Sequence, residues 1–478
     1  MLEKVFKLKA NNTTAKTEIV AGLTTFMTMA YIIALNPNLL TGFGALGAED
    51  NLWTAVFLAT CIASAIGTFF MAFAANKPFA MAPGMGLNSF YATLAAGVMG
   101  LTGLSYTQSF QACLCIIFIE GIIFIVLSVL NVREKIVEAI PLGVRHGISP
   151  AIGLMLLNIG LGSNAGVYSS TGGPFYAMGN FFASLTAKTA KDAFGPDGWA
   201  TMVLTVVTMF IGFFVIVVLA HKGVKACVIL GMLVASVINW AGQAIILKSN
   251  PFAGLATASW LPQFKVMGQV TLFKLNWKGF LEMGWATVII LIITFCIIDM
   301  FDTIGTLVGT ASRANMLDEN GKMPQMKQAL LADAVGTVAG SLTGTSTVTT
   351  FIESASGVEA GGRTGLTAFT TGFMFLACLF ISPIAAIIPP AATSAALIYV
   401  GVIMLSGLKN IHMDDMTELA PVALMLIAMP VSGSIGHAIG IGLITYTVIK
   451  LFTGKGKDVS VLTYILSLIF IAKFFIAI

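Results

Sequence analysis

FAMAPGMGLNSFYATLAAG, residues 79–97, and GTSTVTTFIESASGVEAGG, residues 344–362, decide the fold of this chain. In the first, Pro83, Gly84 and Gly86 interrupt an apolar run; in the second, a Ser/Thr-rich stretch of strand-forming character precedes a short helix. Proline removes an amide donor and glycine weakens a helix interior, so neither stretch reads as a continuous spanning helix. Irregular backbone survives at membrane depth only where it is buried in protein or lines a cavity, because lipid leaves exposed amides unsatisfied. Both stretches therefore read as extended pieces followed by half-helices. They are expected to face each other across one shared polar cavity.

Working outward, apolar runs of about 20 residues mark further crossings. They cover residues 18–36, 52–74, 106–130, 147–161, 198–220, 224–247, 285–311, 328–343, 364–388 and 393–408. Residues 418–452, broken at Pro430 and Gly433, read as a hairpin of two short helices, and a last run starts at Val459. With the two interrupted stretches, and the hairpin counted as one, the total is about fourteen transmembrane elements, an all-α polytopic membrane protein. Composition agrees. A length of 478 residues would allow about three soluble domains, but 57% hydrophobic against 10% charged residues and a mean hydropathy of +0.93 exclude that class. The net charge of +4 is spread over short polar gaps with no basic stripe, which excludes nucleic acid as a partner. The polar stretch before Ile19 reads as a tail and not as a cleaved signal peptide. All six cysteines lie in apolar runs without metal-ligand spacing, so neither disulfides nor a metal site is expected.

Basic residues set the orientation. Lys4, Lys7, Lys9 and Lys16 place the N-terminus in the cytoplasm, and Lys77, Arg133, Lys135, Arg145, Lys222, Lys225, Arg313, Lys322, Lys327 and Arg363 fall on the same side. The loop with Glu49 and Asp50 falls outside, as does the basic segment 248–278, against the rule. PLGVRHGISPAIGLMLLNIG from Pro141 echoes PAATSAALIYVGVIMLSGLK from Pro390, and each follows an interrupted segment at some distance. Two repeats with an odd number of spans insert with opposite orientation, and broken helices at matching positions then point to a midplane binding site.

Five acids fall well within spans: Glu120, Asp299, Asp302, Asp333 and Glu353. Such charges are costly and are usually functional or paired. Glu120, beside Gly121, is read either as a protonated acid bonded to a neighbouring helix or as a coupling group. Asp333, close to Lys327, is read as having an interfacial or packing role. Asp299 and Asp302 are three apart and share a helical face; two carboxylates so close resist double ionisation, which suits uptake and release of a proton. Glu353 opens a half-helix, where polarised N–H groups favour a carboxylate, and simple capping is the plainer reading. Asn88 presents both donor and acceptor at the start of the other half-helix. His412 and His437 are read as bystanders and not ligands. With acids, an amide and no fixed cation, the site suits a flat, neutral ligand carrying N–H donors and ring-nitrogen or carbonyl acceptors.

At TAKTEIVAGLTTFMTMAYIIALNP, ANKPFAMAPGMGLNSFYA, DMFDTIGTLVGTASRANM and TSTVTTFIESASGVEAGGRTGLTA the chain resembles the AzgA-like hypoxanthine/guanine permeases, within the wider nucleobase:cation symporters. The resemblance implies a seven-plus-seven inverted repeat, with a core domain in residues 1–135 and 285–388 and a gate domain in residues 136–284 and 389–478. It implies proton-coupled import of hypoxanthine, guanine and adenine by movement of core against gate, in a cell (inner) membrane, without cofactor, catalysis or metal; sodium coupling and a homodimer stay open. Substrate contacts are carried over to Asn88, Asp299, Asp302 and Glu353, joined by Ser346 and Thr350 of the Thr-rich stretch, and proton coupling to Asp299, Asp302 and Glu120. Where uracil-permease-like relatives have a histidine four residues after the acid of the eighth span, this chain has Thr306. The alternative is an inorganic anion or carboxylate transporter of the same fold, which should place Arg or Lys in the eighth or tenth span.

Overall fold

The computed structural model describes residues 2–42, 50–130, 132–133, 141–164, 187–256, 258–313, 316, 318, 323–411, 413–432 and 435–476. Glu49, Lys135, Lys322, His412 and Gly433, used above, lie outside the described residues. Among the described residues, ten helical segments are long and apolar enough to cross a membrane. Phe214, Val218, Val237 and Ile245 are exposed. Outward apolar side chains of this kind cost nothing against lipid tails.

The first span is jointed. Helix α1 (Ala15–Met29) opens at Thr14, whose hydroxyl accepts the Thr17 N–H at 3.2 Å, and α2 (Ile32–Leu40) follows after a break at Ala30 and Tyr31. Pro37 cannot donate to Ile33 and crowds that turn, so the run expected to be one helix bends, and Tyr31 is buried within the protein. Then come α3 (Asp50–Phe70), β1 (Met81–Pro83), α4 (Met85–Thr102) and α5 (Tyr106–Val129). They are followed by α6 (Leu142–Ile159), α7 (Ala187–His221) and α8 (Cys227–Ile245). The second half contains α9 (Trp285–Arg313), α10 (Met326–Thr343), β2 (Val348–Thr350), α11 (Ser354–Glu359) and α12 (Gly365–Ala377). It ends with α13 (Pro390–Met404), α14 (Met416–Ser432), α15 (Ile435–Phe452) and α16 (Val461–Ile476).

Packing divides these elements into two groups. In one, α10 lies against α5 and α3, and α12 against α1 and α3; in the other, α6 lies against α13 and α14, and α7 against α8 and α13. Helices α14 and α15 pack on each other as the expected hairpin, with Pro430 in the last turn of α14.

The two interrupted segments do not face each other across a cavity, as their polarity suggested. They lie side by side. β1 pairs antiparallel with β2 in the register Met81↔Thr350, Ala82↔Thr349 and Pro83↔Val348, and all six residues are buried. The Gly84 N–H donates to the Thr347 carbonyl at 3.1 Å, and the Phe351 N–H to the Ala80 carbonyl at 3.0 Å. Each segment thus satisfies the other's amides, which lipid cannot do.

Candidate functional site

Where the strand pair gives way to α4 and α11, a cavity of about 280 Å³ opens between the two packing groups. One wall carries Thr28, Tyr31, Gly84, Asp302, Thr350 and Glu353; the other carries Ser149, Lys225, Tyr399 and Ile403. Gly84 is needed for the close approach at its base. A Cβ there would sit 2.9 Å from Thr349 Oγ1 and 3.3 Å from Asp302 Oδ2.

Glu353 does not cap α11; its side chain makes no cap hydrogen bond. Instead its Oε1 accepts the Tyr31 hydroxyl at 2.7 Å. That bond fixes the carboxylate, and Oε2 takes no side-chain hydrogen bond among the described residues. The Thr350 hydroxyl has no hydrogen-bond partner among the described residues, and Asp302 takes only a long bond of 3.5 Å from Thr349. The cavity wall therefore offers two carboxylates whose capacity is largely unspent, with the unpartnered Thr350 hydroxyl buried at its edge.

Asn88 and Ser346 lie behind this wall. The Asn88 amide donates to Asn36 Oδ1 at 2.6 Å and to the Pro83 carbonyl at 3.2 Å, while its oxygen accepts the Ser346 hydroxyl. Asn36 in turn donates to Thr60 at 2.7 Å and Thr345 at 2.9 Å. This buried network joins the first, second, third and tenth spans and uses both donors and one acceptor site of the Asn88 amide.

The aspartates of α9 part company. Asp302 and Thr306 line the cavity, whereas Asp299 turns to Thr303, whose hydroxyl lies 3.1 Å from Asp299 Oδ1 and 2.6 Å from Asp333 Oδ1. Asp333 is not interfacial, and Lys327 is not its partner: Lys327 donates to the Val129 carbonyl. The partner is Arg133, 2.5 Å away. Arg133, expected in a solvated cytoplasmic loop, is fully buried. The expectation of a site without a fixed cation is corrected at Lys225, which lines the cavity and pairs with Glu359, also in its lining, at 2.7 Å. Glu120 is fully buried, and neither of its oxygens has a hydrogen-bond partner among the described residues.

Sequence reading missed Tyr31, Lys225, Tyr399 and Arg133. Tyr31 had one signal, its place six residues before a proline inside an apolar run.

Paired strands at the heads of half-helices, wedged between two helical groups, define a polytopic transporter. The chain belongs to the Permease family (Xan_ur_permease), whose model matches residues 16–190 and 199–442. It is 38% identical to the adenine permease AdeP of Escherichia coli (strain K12) over 474 residues, covering 99% of this chain and 96% of that one. It is 35% identical to the guanine/hypoxanthine permease PbuO of Bacillus subtilis (strain 168) over 477 residues, covering 99% and 100%. Among solved structures, the transmembrane domain of the cyanobacterial bicarbonate transporter BicA superposes with a TM-score of 0.58 at 16% identity, covering 90% of this chain and 97% of that one. The protein is a multi-pass membrane permease of the nucleobase permease superfamily, with a core-and-gate fold, and not an enzyme.

Proposed function

We propose that this permease imports purine nucleobases (hypoxanthine, guanine and adenine) together with protons, by movement of a core (residues 1–135 and 285–388) against a gate (residues 136–284 and 389–478). The observation that carries the reading is the cavity wall where Glu353 Oε2, Asp302 and Thr350 present acceptor-rich polar groups within a largely apolar enclosure. A flat base with N–H donors suits those acceptors. Relatives named for adenine, guanine and hypoxanthine support the substrate class. Asp302, Glu353 and Thr350 contact the base; Asn88 and Ser346 brace the backbone that presents them; Asp299 and Glu120 serve the proton. The halves form a seven-plus-seven inverted repeat in the inner membrane, with the N-terminus in the cytoplasm.

An anion is the competing substrate. It would meet the carboxylates of Asp302, Glu353 and Glu359 against Lys225 alone, which is already paired; like charge disfavours it. Uptake of radiolabelled hypoxanthine, guanine, adenine and bicarbonate into proteoliposomes, under imposed proton or sodium gradients, tests the reading. Purine uptake driven by the proton gradient is expected. Bicarbonate uptake without purine uptake would refute it.

A further inference from the structure

The segment from the end of α8 to the start of α9, residues 246–285, lines no part of the cavity. It carries Lys248, Lys265, Lys274 and Lys278 against one acid, Glu282. Helix α8 (Cys227–Ile245) is about 28 Å long at 1.5 Å per residue, so the segment lies at the membrane face opposite Lys225, which precedes α8. Lysines at that face work against the orientation rule and need another use.

The inner side of the segment is fastened to the ends of the surrounding helices. Two short helices, Phe264–Val270 and Trp277–Glu282, bury Met267, Gly279 and Phe280 and lie against α3 and α5. The Phe273 N–H donates to the Leu342 carbonyl at 2.8 Å, and the Thr271 hydroxyl to the Thr343 carbonyl at 2.8 Å. The Gln111 side chain donates to the Val270 carbonyl at 2.7 Å, and the Asn276 N–H to the Gln111 carbonyl at 3.1 Å. The segment is therefore a fixed strap across the ends of α5 and α10.

Its outer side is aromatic and basic. Trp260, Phe264, Phe273, Trp277, Leu281 and Trp285 are exposed, Phe273 at 69% and Trp285 at 68%. Three of the chain's six tryptophans fall between residues 260 and 285, the enrichment that membrane–water interfaces show. Phe273 stands at φ 55°, in the left-handed region that bulky residues rarely occupy, and its ring stays outside the packed interior. Lys265, Lys274 and Lys278 are exposed beside these rings. Among the described residues, Lys265 and Lys274 make no ion pair, and Lys278 has only the exposed Glu282 at 4.0 Å.

Neither water nor hydrocarbon suits this side. Water would leave six large apolar side chains exposed together, and hydrocarbon would strip the lysine ammonium groups of their hydration. The headgroup layer suits both, because rings settle at the acyl boundary while lysine stems reach out to phosphate. A second copy of this chain set face to face on the strap would bring lysines against lysines, with one acid per copy to offset them.

We propose that the outer side of the strap is a binding surface for anionic phospholipid headgroups. Lys265, Lys274 and Lys278 hold the phosphates, and Trp260, Phe273, Trp277 and Trp285 sit at the acyl boundary. Bound lipid fixes the strap, and through its bonds to Leu342, Thr343 and Gln111 the ends of α10 and α5, at the depth of that leaflet. The proposal is independent of what the cavity carries.

Energy transfer from tryptophan to phospholipid carrying pyrene on its acyl chain reads the contact, with the full-length protein in phosphatidylcholine vesicles. Pyrene-labelled phosphatidylglycerol is expected to quench the parent several-fold more than pyrene-labelled phosphatidylcholine at the same mole fraction, because each lysine near an anionic surface adds attraction. High salt should weaken that preference. The triple variant Lys265→Gln, Lys274→Gln and Lys278→Gln should lose it. A spin label on Phe273→Cys, in a background with the six native cysteines replaced, should report headgroup depth from its relative accessibility to oxygen and to a water-soluble nickel complex. Equal quenching by the two lipids in the parent overturns the proposal, as does a preference that the folded triple variant keeps. A label as open to the nickel complex as one on the polar N-terminal tail overturns it too, as does spin–spin broadening between copies, which would give the face to a second chain. If the triple variant does not fold, Lys274→Gln alone and the salt series on the parent decide by the same criteria.

Discussion

The segments β1–α4 and β2–α11 use the same backbone device for different ends. Each enters as a three-residue strand and turns into a helix at the same depth, and their strands pair with each other. In the first, the helix runs for 18 residues and its polar side chain, Asn88, faces inward to Asn36, Ser346 and the Pro83 carbonyl. In the second, the helix lasts six residues and Thr350 and Glu353 open onto the cavity. Relatedness in backbone therefore does not carry relatedness in duty. Both segments line the cavity, the first through Gly84, Met85 and Gly86 while its Asn88 is spent inside the protein, the second through Glu353.

The comparison breaks most readily at Glu353. Glu353→Gln keeps the shape but replaces an acceptor by a donor, so purine affinity should fall by about 1.5–3 kcal/mol, the value of a charge-assisted bond. Parent-like affinity in a competition assay would remove Glu353 from the site. Asn88→Ala should act on the other property. It leaves Asn36 and Ser346 without their partner, and about 1–3 kcal/mol of stability should be lost, read as a lower melting temperature in detergent with purine affinity kept in the folded fraction. If affinity collapses while melting is unchanged, Asn88 contacts the substrate and the two segments share their duty after all.

Smaller effects sharpen the contrast. Tyr31→Phe removes the bond that orients Glu353, and about 0.5–1.5 kcal/mol of purine affinity should go with it. Combined with Glu353→Gln, the loss should be less than the sum, since both changes disrupt one interaction. Additive losses would mean that Tyr31 acts by some other route. Lys225→Gln breaks the exposed pair with Glu359 at the cavity mouth. Exposed pairs contribute about 0–1 kcal/mol, so purine affinity should barely change, and any effect should appear in transport rate, because the pair joins the two packing groups of helices. A large affinity loss would instead assign Lys225 to ligand binding.

Much of this arrangement is legible in the chain. Pro83, Gly84 and Gly86, and the run TSTVTT, announce interrupted spans because proline and strand-forming residues conflict with a spanning helix. The buried acids are legible because their cost at membrane depth demands a reason. What the chain hides is direction. A spacing of three puts Asp299 and Asp302 on neighbouring stripes of α9, and only the packed neighbours decide that one meets the cavity and the other Thr303 and Arg133. Arg133 looks like an ordinary loop cation because its partner Asp333 is 200 residues away in sequence. Tyr31 is hidden in a different way. An aromatic in an apolar run reads as core, and its hydroxyl matters only once the bend before Pro37 brings it to Glu353.

Whether the pocket lined by Thr350, Asp302 and Glu353 holds a purine base is read from the thiol accessibility of the Thr350→Cys variant. In a background with the six native cysteines replaced, a small polar thiol reagent should modify Thr350→Cys, and saturating hypoxanthine should block the reaction, while Asn88→Cys, behind the wall, stays unmodified. Modification of Thr350→Cys that no purine slows, or no modification where an exposed loop cysteine reacts fully, would contradict the account.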